Sequence, residues 1–79
     1  MKVTITINRR PEIADPEGTT VRRALHELGF IEAGEVRMDR VIHMEVEGDD
    51  PRQVEARVEE MCRRLLANPV IEDFEVEVG

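Results

Sequence analysis

Residues 49–78 read DDPRQVEARVEEMCRRLLANPVIEDFEVEV, which is in turn a capped amphipathic helix, a sharp stop and a strand. Asp50 suits the N-cap, Pro51 the first helical position, and Gln53 the place where a capping box sets its amide. Val54, Val58, Met61, Cys62, Leu65 and Leu66 recur at helical spacing, so one face is apolar. The opposite face carries Glu55, Glu59, Glu60, Arg63 and Arg64, with Glu59–Arg63 and Glu60–Arg64 in the favourable i,i+4 order. Pro69 forbids continuation and pushes Asn68 towards extended geometry. Ile71 to Val78 follows as the last strand.

Working outward from that segment, Lys2 to Asn8 alternates, with Val3, Ile5 and Ile7 on one face and Thr4 and Thr6 on the other. That pattern predicts a half-buried, β-branched strand. Asn8 to Glu12 is a polar connection, and Ile13 is expected to tuck back as an anchor. A first helix opens at Asp15-Pro16-Glu17-Gly18. Either Asp15 caps it with Pro16 as its first residue, or these four form a turn and the helix begins at Thr19 or Thr20. Val21, Ala24, Leu25 and Leu28 form its stripe, and Gly29 ends it as a left-handed cap. Val36 to Glu47 reads as strand, with Val36, Met38, Ile42, Met44 and Val46 sharing one parity. Arg40 falls on that apolar parity too, a conflict that a turn or bulge near Asp39-Arg40 would remove.

The order is strand, helix, strand (single or split), helix, strand. It predicts an α+β fold of two layers, with two helices packed on one face of a small, mainly antiparallel sheet. The predicted core is Val3, Ile5, Ile7, Val21, Leu25, Leu28, Ile42, Met44, Val46, Val54, Val58, Met61, Leu65, Phe74 and Val76. The outer sheet face would carry Thr4, Thr6, Val41, His43, Glu75 and Glu77.

With 79 residues, the chain is expected to be one domain over residues 1–79. A single core of this size rarely contributes more than roughly 3–5 kcal/mol, and one cysteine cannot form an internal disulfide. Self-association is therefore expected. The net charge of −7, from 18 acids against 11 bases, argues against a nucleic-acid backbone binder. The pairs Arg9-Arg10, Arg22-Arg23 and Arg63-Arg64 read as solvated faces, or as a small patch for an anionic ligand. No leader or membrane-length apolar run is expected, and the lone cysteine suits a reducing compartment, which predicts the cytoplasm.

Chemistry is sparse. Cys62 lies beside an apolar stripe and reads as a buried, inert thiol rather than a nucleophile. His26 and His43 have no partner at metal-ligand spacing. The carboxylates are scattered, and the single glycines form no phosphate-cradling loop. These residues describe a non-catalytic interaction module, with no catalytic, cofactor-binding or metal residue of its own.

Several segments, in order, carry a family resemblance: Asp15-Pro16-Glu17-Gly18, Arg23 to Phe30, Val36-Arg37-Met38 and, most strongly, Cys62 to Phe74. Over essentially its whole length the chain resembles PurS, the small subunit of phosphoribosylformylglycinamidine synthase. It departs from the family's habit at Asp39-Arg40, where Gly-Lys is common, and in the loop Asn8 to Glu12. The resemblance implies a place in the fourth step of purine synthesis, the conversion of formylglycinamide ribonucleotide to the amidine with ATP and glutamine. It further implies that a PurL-like partner performs the amidation using ATP and Mg, and that a PurQ-like glutaminase supplies ammonia. The small subunit, a dimer or tetramer, bridges the two and binds no cofactor itself. Its partner contacts are expected at the two helix-end segments, at Asp15, Pro16, Gly18 and Arg23, and at Asn68, Pro69, Glu72 and Asp73. The rival reading, by analogy of fold alone, is a regulatory domain that binds a small molecule at a dimer interface.

Overall fold

The structure, a computed structural model, describes every residue from Met1 to Gly79. Its elements are β1 (Lys2–Arg9), α1 (Pro16–Glu27), β2 (Arg40–Glu45), α2 (Pro51–Met61), a π-helical turn (Cys62–Leu66) and β3 (Glu72–Val78). The three strands form one antiparallel sheet in the order β2-β1-β3. The α+β class and the order of elements are those read from the sequence.

The centre of the sheet follows from the alternation in β1. Ile5 lies between Ile42 and Val76, and Val3 between Met44 and Val78. Their side chains point to the face that α2 covers, and Val3, Ile5 and Ile7 are buried together with Val54, Val58, Cys62 and Ala67. A helix is about 10–12 Å wide, so it roofs the central strand but leaves the flanks open. Accordingly Ile42, Met44, Phe74 and Val76 are only half-buried.

Local chemistry places the helix ends. Asp15 caps α1 through Gly18, and Pro16 is its first residue, which selects the earlier of the two predicted starts. At the other end, Gly29 has φ +99°. The Gly29 N–H donates to His26 and the Phe30 N–H to Leu25, the paired bonds of a Schellman cap. Asp50 caps α2 by accepting from the Arg52 N–H at 3.0 Å.

Four sequence expectations need correction. First, α1 does not lie on the sheet: it makes almost no contact with the other elements, and none of its side chains joins the core. Val21 and Leu25 are half-buried outside the core, and Leu28 is 74% exposed. The molecule is accordingly long, 50 × 24 × 14 Å.

Second, strand pairing begins at Arg40, not Val36. The residues just before it are diverted, because the Met38 N–H donates to Asp15 Oδ2 at 2.7 Å and the Arg37 side chain bonds to backbone carbonyls. Third, the break expected near Asp39-Arg40 falls just before Arg40 and does not turn that residue to the other face. It stays in register opposite Ile7 at the polar end of the sheet, where its Nη2 meets both oxygens of Glu72 at 2.8 and 3.0 Å.

Fourth, the second helix ends in a π turn, with the Ala67 N–H donating to the Cys62 carbonyl five residues back. The wider turn shifts the buried position from Leu65 to Ala67 and leaves Leu65 82% exposed.

Candidate functional site

Two polar junctions contain all of the residues singled out by sequence except Arg23, which lies further along α1. The first is the base of α1. Asp15 is 5% exposed, and its two oxygens accept backbone N–H groups from different segments, Gly18 at 3.0 Å and Met38 at 2.7 Å. Gly18 sits beneath them because nothing larger fits: a Cβ there would lie 1.9 Å from the Val36 carbonyl oxygen. Pro16 and Arg23 are exposed on the same helix.

Asp15 and Gly18 are thus turned inward as fastenings. These two bonds to the carboxylate hold the Asp15 pKa below the ordinary range, helped by the charges of Arg9 and Arg37 and opposed by burial.

The sign of the resulting pH dependence is fixed. A depressed folded pKa contributes stability that is complete above the unfolded value of about 3.9 and is lost as pH falls through the lower, folded value. The attachment of α1 should therefore be insensitive to pH above about 5 and loosen only in acid, below about 4. Backbone NMR shifts of Gly18 and Met38 followed down the titration check this, and a step near neutrality would contradict it. In Asp15→Asn, the amide can accept from Gly18 but would set one donor against another at Met38, so the variant should lack the acid step.

The second junction is the turn between the π-helical segment and β3. Asn68 Oδ1 accepts from the Val70 N–H at 3.0 Å, and the Asn68 N–H donates to Glu72 Oε1 at 2.8 Å. Arg10 reaches in from the end of β1, donating from Nη2 to the Pro69 carbonyl at 3.0 Å and from Nε to Asp73 Oδ1 at 3.3 Å. Asn68, Pro69, Glu72 and Asp73 are therefore brought together, as a latch that ties the helix end to the sheet. Asn68, Pro69 and Asp73 are exposed and Glu72 is half-buried. Beside the latch a cavity of about 230 Å³ is lined by Arg10, Cys62, Arg63 and Phe74 among others.

Sequence reasoning missed Arg10, Arg37 and Arg40, the three arginines that fasten these junctions. Arg40 stood out only for falling on an apolar parity, and the acceptors of all three lie 24 to 63 residues away.

The reactive side chains have other duties. Cys62 is 0% exposed, and burial first, then the charge of Glu59, pushes its thiol pKa up, away from thiolate chemistry. His26 Nε2 lies 2.8 Å from the Ala33 carbonyl and closes the loop after α1. His43 stands on the exposed outer face opposite Thr4. No three His, Cys, Asp or Glu side chains converge as metal ligands, and no helix is long and apolar enough to cross a membrane.

Comparison with known proteins gives a consistent result. The family described as "PurS: Phosphoribosylformylglycinamidine (FGAM) synthase" matches residues 2–79. The phosphoribosylformylglycinamidine synthase subunit PurS of Methanocaldococcus jannaschii is 44% identical over 77 residues, 98% of this chain and 93% of that protein. Its crystal structure superposes with a TM-score of 0.90 at 42% identity, covering 99% of this chain and 94% of that one. A chain of the PurLQS structure from Thermotoga maritima superposes with a TM-score of 0.87 at 34% identity, covering 96% and 93%.

Proposed function

This chain belongs to the PurS family of phosphoribosylformylglycinamidine synthase, and from that premise we propose that it bridges a PurL-like synthetase and a PurQ-like glutaminase. It is a subunit of the synthase, an enzyme complex, and contributes position in place of reacting groups. Holding the two enzymes in one geometry shortens the transit of ammonia and limits its protonation by bulk water. ATP and Mg act in the synthetase partner and glutamine in the glutaminase; this chain binds none of them. The complex works in the cytoplasm, which a single free cysteine suits.

The fit of this chain along nearly its whole length to a component of PurLQS is the observation that carries the reading. The surface of the monomer supports it. Leu28, Phe30, Ile31 and Met38 are exposed apolar side chains, on α1 or in the segment that follows it. A monomer rarely leaves so much large apolar surface in water, and such patches mark interfaces. The unpartnered stripe of α1 and the half-covered flanks of the sheet are matched deficits, so the chain self-associates through α1.

Reconstitution tests the function. Purified PurL- and PurQ-like partners should form the amidine from glutamine only when this chain is added, whereas ammonia-dependent synthesis should persist without it. Glutamine-dependent synthesis at full rate in its absence would refute the bridging role.

A further inference from the structure

Residues 15–38 form an excursion that leaves the sheet at the end of β1 and returns at the start of β2. Its outer end is closed on itself by the Schellman bonds after α1 and by His26 against the Ala33 carbonyl. No residue of the excursion belongs to the buried core or to the half-buried apolar residues packed on it. What joins it to the rest is polar and lies at its base.

There Arg37, on the returning segment, binds the departing one. Its Nη1 donates to the Ile13 carbonyl at 3.2 Å, and its Nη2 donates to the carbonyls of Arg10 at 3.0 Å and Arg9 at 3.3 Å. Arg9 adds a bond from its own Nη1 to the Ala14 carbonyl at 2.8 Å. On the other side of the base, Asp15 spans Gly18 and Met38. A planar guanidinium can address carbonyls on several sides at once, whereas an ammonium is a compact point charge.

We infer that Arg37 is a positioning residue for assembly: its fork of bonds to the Arg9, Arg10 and Ile13 carbonyls fixes the angle at which the α1 arm stands off the sheet. The arm and the sheet body are then separable in energy. Without Arg37, β1 and α2 keep their core while α1 loses its fixed bearing. This deepens the self-association reading above, on which only the assembly readout rests.

The test uses the full chain with Arg37→Met and Arg37→Lys. Methionine keeps much of the aliphatic stem and removes the donors; lysine restores charge without the fork. Amide hydrogen exchange is measured for Val21–Leu28 and for Val3–Ile7, alongside light scattering across a dilution series. Losing charge-assisted bonds of this kind should speed exchange in the arm on the order of 10- to 100-fold and leave β1 unchanged. Lysine should rescue only part of that protection, and the self-association constant should weaken about as much as the arm loosens.

Equal loss of protection in arm and β1, failure of the methionine variant to fold, or an unchanged arm would each overturn the inference. A loosened arm with undiminished association would overturn its role in assembly. A wild-type chain that stays monomeric at every concentration would instead refute the self-association reading, and the exchange contrast would still decide the hinge.

Discussion

Replacing Ile5 with alanine is expected to cost about 2–5 kcal/mol of unfolding free energy, the usual range when a buried isoleucine is cut to alanine. Ile5 is 0% exposed and sits on the central strand with Ile42 and Val76 on either side. The penalty combines lost transfer energy with a cavity that the surroundings fill only partly. Both neighbouring strands are hydrogen-bonded to β1, so they cannot slide in to close the gap. Only seven apolar residues make up the buried cluster, which leaves little redundancy. A chain this small has about 4–12 kcal/mol of total stability, so the variant should lose a large share of it.

Urea denaturation at fixed protein concentration measures the loss; concentration must be held constant because association adds stability by mass action. Val41→Ala is the matched control. Val41 is 55% exposed in the neighbouring strand, and away from an interface its truncation should fall within about 0.5 kcal/mol. A loss below about 1 kcal/mol for Ile5→Ala would mean that the core is not closed over β1.

The second large effect is expected at Gly18, and here the structure reverses the sign that helix propensity alone would give. Gly18 lies within α1, and alanine inside a helix is ordinarily favoured over glycine by about 1 kcal/mol. The added Cβ would, however, stand 1.9 Å from the Val36 carbonyl oxygen and 2.8 Å from its carbon. Those are backbone atoms, one residue from Arg37 and two from Met38, which the Asp15 carboxylate holds. They cannot withdraw without breaking the fastenings at the base of the arm. Overpacking of this kind costs typically 1–3 kcal/mol and more where backbone must move, which exceeds the propensity gain.

Gly18→Ala should therefore release α1, weaken self-association and leave the melting of the sheet body little changed. Gly34→Ala provides the contrast, since nothing lies within 4 Å of a Cβ there. Exchange protection of the α1 amides and the dissociation midpoint on dilution decide the matter. Protection equal to wild type in Gly18→Ala would show that the helix and the Val36 segment are not held so closely.

Much of the fold could be read along the chain because its determinants are local. The alternation of Val3, Ile5 and Ile7, the caps at Asp15 and Asp50, the stop at Asn68-Pro69 and the left-handed Gly29 each act within a few residues. They set the element order and the identity of the central strand. The burial of Cys62 was legible for the same reason: it lies beside an apolar stripe, and the structure encloses it.

Tertiary structure alone decided where α1 goes. A helical stripe such as Val21, Leu25 and Leu28 records which side is apolar, not whether the cover comes from the same chain or another. It also decided that Val36 to Asp39 would leave the strand, that a π turn would exchange Leu65 for Ala67, and that Arg40 would find Glu72. Each of these depends on a bond or packing contact closed across the fold or on the cumulative geometry of a helix. Such partners are chosen when the elements meet, and no spacing within one element announces them.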